Sequence, residues 1–224
     1  MIKTSTDTYQ LPKLKICGIT TLEDARYAAG ALADYLGFIF YQNSPRYITP
    51  RDAAEIIRWI EGPLKTGVFV NQPAAHVNQI IEQTGIDLVQ LHGNETPEYA
   101  TEINVPVIKA FHIRENVDIP GIRNEINRWE KHADFFLFDT KTDKMHGGTG
   151  LTWDWNLITR LSPRKPFFLA GGINAGNVAD AVATGRPFAV DLSSSIEQSP
   201  GIKDFDKMQH FFDSWNVLRD NLEG

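Results

Sequence analysis

The sequence predicts a single α/β domain folded as a closed (β/α)8 TIM barrel, and two regularities carry this prediction. Eight short runs rich in β-branched and aromatic residues alternate with segments that have the pattern of amphipathic helices. The runs recur about every 25 residues, which is enough for one strand, one helix and two short loops. Continuous apolar strands joined by helical crossovers indicate a parallel sheet buried on both faces. A doubly wound open sheet is the alternative, but eight units in 224 residues fit a compact barrel.

The strand candidates are all short and apolar, and they can be placed along the chain in order. They cover residues 13–17 (KLKIC), 35–41 (YLGFIFY), 66–70 (TGVFV), 88–92 (LVQLH), 105–113 (VPVIKAFHI), 134–140 (DFFLFDT), 166–170 (PFFLA) and 187–192 (PFAVDL). Helical segments lie between them; TLEDARYAAGAL opens with a Thr suited to cap a helix, and NETPEYATEI has a Pro in its first turn. Residues 1–12 are predicted to be an N-terminal extension and residues 13–224 the barrel.

Composition excludes several classes of partner. The chain is 42% apolar and 22% charged, as in an ordinary folded domain, and its net charge of −6 comes without any block of Lys or Arg. This argues against a nucleic-acid or anionic-membrane partner. No run reaches the roughly 18 apolar residues of a membrane span. The single cysteine cannot form an intramolecular disulfide, and the N-terminus lacks the apolar core of a signal peptide, so a cytoplasmic location is expected.

Polar residues follow several of the predicted strands at their C-terminal ends. Cys17 ends the first strand, Arg46 lies in the loop after the second, His92 ends the fourth and Asp139 ends the sixth. Both candidate topologies place functional groups at this rim. Each residue also has a structural interpretation: the thiol as a small buried hydrophobe, the aspartate as a loop cap, the histidine as a turn residue and the arginine as a surface charge.

The loops after strands seven and eight have the composition of a phosphate site. Such a site needs converging backbone N–H groups without obstruction by Cβ atoms, and Gly171 and Gly172 satisfy that need on one side. Ser194 and Ser195 could complete the cradle with N–H and hydroxyl groups, as in the recurrent phosphate site of these barrels. The stretch SIEQSPG is expected to form its short extra helix. Ordinary Gly and Ser turns are the alternative.

Eight segments in order resemble one family. They are KICGIT, GFIFYQNSPRYI, GVFVN, LVQLHGNE, FDT, GGTGLTWDW, LAGGIN and DLSSSIEQSPGIKD, and the chain resembles phosphoribosylanthranilate isomerases over about residues 13–215. The resemblance implies a (β/α)8 barrel without a metal or organic cofactor. It also implies a phosphorylated small-molecule substrate, N-(5-phosphoribosyl)anthranilate, which an Amadori rearrangement in tryptophan biosynthesis converts into 1-(2-carboxyphenylamino)-1-deoxyribulose 5-phosphate. A monomer or a homodimer is expected.

The resemblance also assigns roles to individual residues. It implies that Asp139 is the general acid that protonates the furanose ring oxygen and that Cys17 is the general base that removes the C2 proton. Arg46 would hold the anthranilate carboxylate, Asp191 would position sugar hydroxyls and His92 would shape the pocket. The resemblance also places Gly172, Ser194 and Ser195 in the phosphate cradle. The acid requires a raised carboxyl pKa, and the base requires a stabilised thiolate.

Two departures from the family pattern and two competing functions are open at this point. Ser195 replaces a Gly usual in the family and would cost about 1 kcal/mol if its φ were positive. The loop from Lys141 to Gly150 is slightly long and is expected to act as a lid, followed by Trp153 where Phe is usual. The histidine-pathway isomerase is expected to have Asp rather than Cys at the end of strand one. A barrel that only binds a phosphorylated ligand would need neither Cys17 nor Asp139.

Overall fold

A computed structural model describes residues 11–113, 118–140 and 154–223, and within them it shows a closed barrel of eight parallel strands. Each strand pairs with its sequence neighbours, and β1 closes the ring by pairing with β8. The prediction of a (β/α)8 barrel is confirmed. The strands are β1 (Lys13–Cys17), β2 (Tyr35–Ile39), β3 (Leu64–Phe69), β4 (Leu88–Leu91), β5 (Val107–Ile113), β6 (Phe135–Thr140), β7 (Phe167–Leu169) and β8 (Ala189–Leu192).

The helices surround the barrel and begin largely where local signals place them. The Thr21 hydroxyl caps the first helix by accepting a hydrogen bond from the amide of Asp24, and Pro97 opens the single turn of the fourth. The helices are α1 (Leu22–Gly30), α2 (Pro50–Ile57), α3 (Ala74–Thr84), α4 (Pro97–Ala100), α5 (Ile119–Trp129), α6 (Leu157–Leu161), α7 (Val178–Gly185) and α8 (Phe205–Glu223). No helix in the described part of the chain is both long and apolar enough to cross a membrane.

Side chains on the inner face of the barrel form layers, because alternate strand residues point to opposite faces. An apolar cluster fills the lower interior, with Ile108, Leu137, Phe168 and Ala189 among its members. Asp191 is the next inward-facing residue after Ala189 on β8, and it pairs in register with Lys15 of β1. The next inward position on β1 is Cys17. A buried polar layer therefore separates the apolar floor from the barrel mouth.

The segment after β8 differs from the expected extra helix. Only one 3-10 turn forms, over Ser194–Ile196, and an antiparallel hairpin follows, with β9 (Glu197–Ser199) and β10 (Ile202–Lys203). Gly201 has a φ of +86°, which suits a tight turn and not a helix, and Pro200 precedes it. The prediction of a helix over SIEQSPG is wrong beyond its first two residues.

Two predictions lie wholly or mostly outside the described residues. The N-terminal extension is described only at residues 11 and 12, the last of which precedes β1. The expected lid, residues 141–150, and Trp153 are not part of the described chain.

Candidate active site

The end of β6 places Asp139 beside two histidines. His92 Nε2 lies 3.8 Å from Asp139 Oδ2, and the rings of His92 and His112 pack edge to face with centroids 4.7 Å apart. The Asp139 side chain is 29% exposed. Burial, followed by the neighbouring Asp191 carboxylate, raises the pKa of Asp139 to about 7. Asp139 thus keeps a proton near neutral pH, which is what a general acid requires.

His92 is held by β4 and its neighbours in an uncharged state. Its amide donates to the carbonyl of Phe69, its Nδ1 lies 3.0 Å from the amide nitrogen of Gln90, and its carbonyl accepts a hydrogen bond from His112. Burial, with further repulsion from His112, Lys15 and Lys109, lowers the pKa of His92 to about 3. The ring is therefore neutral at any working pH.

Cys17 ends β1 as predicted and is 7% exposed. Its register partner on β2 is Gly37, where an added Cβ would lie 2.7 Å from the Cys17 sulfur, so the glycine makes room for the thiol. Burial has the largest effect on the pKa of Cys17 and raises it, and the Asp191 carboxylate raises it further. The positive charges of Lys15 and Lys203 act in the opposite direction, but the pKa remains above its ordinary value. The unliganded protein therefore carries a thiol, and the stabilised thiolate required of a base is not formed by the protein alone.

Arg46 is buried rather than exposed, and it belongs to a charged network. Its Nε lies 2.9 Å and its Nη2 2.7 Å from the two carboxylate oxygens of Glu197. Lys203 donates to the same carboxylate at 3.0 Å and to the carbonyl of Cys17 at 2.6 Å. Gly18 permits this approach, because a Cβ there would lie 2.8 Å from Arg46 Cδ. The β9–β10 hairpin thus connects Arg46 to the end of β1.

Asp191 lies in the polar layer below the mouth. Its Oδ2 accepts a hydrogen bond of 2.8 Å from the ammonium of Lys15, which is fully buried. Its Oδ1 is also buried and has no hydrogen-bond partner among the described residues. A buried acceptor without a partner is costly, so this oxygen is suited to a ligand hydroxyl.

The two glycines after β7 both have left-handed backbone conformations. Gly171 and Gly172 have φ values of +87° and +69°, and a Cβ on Gly171 would lie 2.7 Å from the Thr140 hydroxyl. The side-chain amides of Asn174 and Asn177 both donate to the Gly172 carbonyl, which fixes the turn. Successive left-handed residues of this kind turn backbone N–H groups toward one side.

The serines after β8 lie in the 3-10 turn. The Ser195 hydroxyl is buried and has no partner in the described chain, and it lines a cleft that includes Asn174, Lys207 and His210. Positive φ values occur at four described non-glycine residues, and Ser195 is not one of them. The strain anticipated for Ser in place of Gly is therefore absent.

Five polar residues around the site, four of them buried and His112 half-buried, were not identified from the sequence. They are Lys15, Gln90, His112, Glu197 and Lys203. Lys15 and Gln90 interrupt the apolar runs KLKIC and LVQLH at the inward-facing positions two residues before Cys17 and His92. Alternation along the strands was the signal that could have found these two.

Comparison with known proteins identifies one family. Residues 14–214 match the profile of N-(5′-phosphoribosyl)anthranilate (PRA) isomerase. The chain is 43% identical over 200 residues to the N-(5′-phosphoribosyl)anthranilate isomerase of Geobacter sulfurreducens, covering 89% of this chain and 96% of the relative. It is 44% identical over 199 residues to the enzyme of the same name from Pseudomonas putida, covering 88% and 94%.

Solved structures show the same relationship. The crystal structure of phosphoribosyl anthranilate isomerase from Thermotoga maritima has a TM-score of 0.82 and 36% identity, and the match covers 92% of this chain and 99% of that one. A crystal structure of the isomerase in complex with reduced 1-(o-carboxyphenylamino)-1-deoxyribulose 5-phosphate has a TM-score of 0.79 and 35% identity, with the same coverage. A further Thermotoga maritima structure, with a TM-score of 0.80, 35% identity and the same coverage, shows monomers generated from a dimeric isomerase.

Proposed function

The chain belongs to the N-(5′-phosphoribosyl)anthranilate isomerase family, and from that premise we propose how the residues at its barrel mouth carry out the reaction. The protein is an isomerase of tryptophan biosynthesis that acts by an Amadori rearrangement. The observation that supports the proposed mechanism best is the carboxyl of Asp139, whose pKa of about 7 lets it hold a proton at neutral pH.

In the first step Asp139 is the general acid. Its proton passes to the furanose ring oxygen as the C1–O bond breaks, and the nitrogen lone pair forms an iminium at C1. Asp139 is left as a carboxylate. General acids work best with a pKa near the working pH, because both the protonated fraction and the driving force for transfer are then substantial.

In the second step Cys17 is the general base. Its thiolate takes the C2 proton, the C–H electrons form the C1–C2 double bond, and the iminium electrons return to nitrogen. The resulting enolamine tautomerises to the ketone. The iminium is the electron sink, so the proposal requires no metal and no organic cofactor. The reactive form has released the Cys17 proton to solvent, and it is a minor form because burial raises the pKa of Cys17. Once formed, the iminium stabilises this thiolate by its positive charge.

Substrate binding is assigned to groups that line the same end of the barrel. Arg46 contacts the anthranilate carboxylate with the guanidinium hydrogens that it does not donate to Glu197. Because Lys203 also donates to the Glu197 carboxylate, Glu197 does not fully neutralise Arg46, and positive charge remains available for the substrate. Asp191 accepts a sugar hydroxyl at its unpartnered Oδ1. The phosphate is held by the cradle formed of Gly171, Gly172, Ser194 and Ser195.

The proposal extends to location and assembly. The substrate is a phosphorylated small molecule, with no nucleic-acid or membrane partner, and the protein works in the cytoplasm as a monomer or homodimer. The net charge of −6 and the absence of a Lys or Arg block support the first part.

The function is tested with the purified protein and N-(5-phosphoribosyl)anthranilate. We expect the substrate fluorescence to disappear on isomerisation without added metal, at the same rate after treatment with a chelator. Arg46→Ala, prepared in parallel, controls for a contaminating host isomerase, because its KM should differ. A protein that is folded but leaves the substrate unchanged would refute the function.

A further inference from the structure

A continuous row of polar side chains runs through the barrel interior from β8 to β4. The Lys15 ammonium donates to Asp191 Oδ2 and to Gln90 Oε1, each at 2.8 Å, and the Gln90 amide nitrogen lies 3.0 Å from His92 Nδ1. Lys15 is fully buried and Gln90 is 2% exposed. The row ends where His92 Nε2 lies 3.8 Å from Asp139 Oδ2.

The donors and acceptors along this row determine the position of one proton. An ammonium group can only donate, so the Gln90 atom that faces Lys15 must be its carbonyl oxygen. The other end of the amide, the NH2 group, therefore faces His92. Since an amide NH2 can only donate, His92 Nδ1 must carry a lone pair, and a neutral ring then has its hydrogen on Nε2.

We propose that Lys15 and Gln90 are positioning residues that fix His92 as the neutral Nε2–H tautomer, with this N–H facing the carboxyl of Asp139. The proposal rests on the proposed function, in which Asp139 is the general acid. At 3.8 Å the Nε2–H is too far for a direct hydrogen bond but close enough to act electrostatically.

The tautomer serves the acid in two ways. An imidazolium at this distance would stabilise the carboxylate of Asp139 and remove its proton too early, whereas a neutral ring leaves the acid protonated. After the proton has moved to the substrate, the positive end of the N–H dipole faces the new carboxylate. The row therefore sets the protonation state of Asp139 through His92, without contact between Lys15 and the substrate.

The charged surroundings of His92 agree with a neutral ring. Among the described residues, the charged and titratable groups around it are Lys15 from β1, His112 from β5, Asp139 from β6 and, through Lys15, Asp191 from β8. Lys109 of β5 also acts on it electrostatically and is itself paired with Glu95. Burial and the positive members of this group disfavour an additional positive charge on the ring.

The same tautomer argues against a metal site at this position. Donor atoms of His92, His112 and Asp139 lie within 4.8 Å of one another, as they would around a divalent ion. Coordination by His92 Nε2 would require a lone pair there, and its proton would have to move to Nδ1 against the NH2 group of Gln90. The Nε2 of His112 is also 3.2 Å from the carbonyl of His92. We therefore expect weak binding of Zn²⁺.

The direct test is nitrogen NMR of the wild-type protein labelled with 15N-histidine, which distinguishes the two neutral tautomers by which ring nitrogen carries the hydrogen. The chain has six histidines, and His92→Asn identifies the resonance. We expect hydrogen on Nε2 in the unliganded protein. Hydrogen on Nδ1 would overturn the proposal, and so would strong inhibition by Zn²⁺ that His112→Ala abolishes.

The functional test is Gln90→Glu, which keeps the shape and can still accept from Lys15 but replaces the NH2 donor by an acceptor. The ring of His92 should then carry hydrogen on Nδ1 or become an imidazolium. In the latter case the limb of the kcat/KM profile that titrates near pH 7 should move to lower pH, and kcat/KM should fall by about tenfold for each pH unit that the limb moves. Gln79→Glu, at an exposed position on α3, controls for the added charge.

Two further results separate the possibilities. Gln90→Met removes the donor without adding charge, so it should give a mixture of tautomers and an intermediate loss of kcat/KM, which also covers the case in which Gln90→Glu does not fold. An imidazolium in Gln90→Glu with an unchanged pH profile would overturn the positioning role. If the wild-type protein shows no isomerase activity the proposed function fails, whereas the tautomer measurement still decides the assignment of the proton.

Discussion

Asp139 and Cys17 lie on the same rim of the barrel, at the ends of β6 and β1. Burial raises the pKa of both side chains, which suits the proposed acid but not the proposed base. Burial and the nearby Asp191 raise the pKa of Asp139 to about 7, so that a carboxylic acid persists near neutral pH. Burial also raises the pKa of Cys17, and the cations of Lys15 and Lys203 do not reverse it. Burial therefore favours the protonation state that the proposed acid requires and opposes the one that the proposed base requires.

These two pKa shifts indicate which protonation states the proposed acid and the proposed base must have in order to function in one pocket. The active state has a protonated carboxyl and a thiolate, whereas the dominant state just above pH 7 has the same number of protons distributed the other way. Each pKa unit between the groups costs about 1.4 kcal/mol in the population of the active state. In the proposed mechanism the iminium forms once Asp139 has given up its proton, and its positive charge then stabilises the thiolate for the second step.

The largest expected effects come from removing either group. Asp139→Asn keeps the shape but has no acidic proton, and Cys17→Ala has no base, so each should lower kcat by roughly 10²–10⁴-fold with a small change in KM. Steady-state kinetics measures both. Asp180→Asn, at an exposed position on α7, is the matched control. Full activity in either variant would remove that residue from the mechanism.

A smaller loss should follow from Gly37→Ala, which acts on the base alone. The new Cβ would lie 2.7 Å from the Cys17 sulfur and must displace it, and misplacement by about 1 Å can cost up to roughly 10²-fold in rate. We expect kcat to fall by about 10–100-fold while the titration of Asp139, followed by carboxyl 13C NMR, is unchanged. Gly30→Ala is the control, because no atom lies within 4 Å of a Cβ there. Unaltered kcat would show that the position of the sulfur is not critical.

Arg46→Ala tests whether the charges beside the base serve binding or ionisation. Arg46 is not among the groups that set the pKa of Cys17, so its loss should chiefly raise KM, by about tenfold or more, with a smaller change in kcat. Thermal unfolding should be measured alongside, because the Glu197 carboxylate would keep only Lys203 as a partner among the described residues. An unchanged KM would refute the role of Arg46 in holding the substrate carboxylate.

The last prediction concerns the unmodified protein and the form of its kcat/KM profile against pH. If Cys17 titrates above Asp139 in the free protein, activity should rise with pH through about 7, level off, and fall only at alkaline pH above the ordinary thiol value of about 8.5. If the thiolate were already present, activity would instead fall through pH 7. The ultraviolet absorbance of the thiolate gives an independent titration, since Cys17 is the only cysteine.

The sequence was informative where local pattern determines structure. KLKIC predicted the bounds of β1 without error, and because parallel strands end at one rim, the order of strands was enough to bring Cys17, His92 and Asp139 to the barrel mouth. The contacts that join Lys15 to Gln90 and Asp191 were out of reach, since these partners lie 75 and 176 positions away and meet Lys15 only through barrel register.

The unpredicted parts share a physical origin. Pro200 and Gly201 do signal a turn at the end of SIEQSPG, but the ion pair that holds Glu197 at the start of the hairpin comes from Arg46, 151 positions away, and the local sequence does not contain that partner. The pKa of Cys17 depends on the balance between burial and three charges from different elements. Such balances follow from tertiary structure and have no signature in a linear pattern.

The contact between Lys203 and the carbonyl of Cys17 joins residues 186 positions apart, and it has a consequence for biosynthesis. At about 5–20 residues per second, a ribosome needs roughly 10–40 s to deliver Lys203 after Cys17. During that time β1 has been made, but its partner β8 and the hairpin that pairs with Arg46 do not yet exist. The nascent chain therefore cannot fix the end of β1 in this way until Lys203 has been made, when the first strand of the barrel meets the hairpin that follows its last strand.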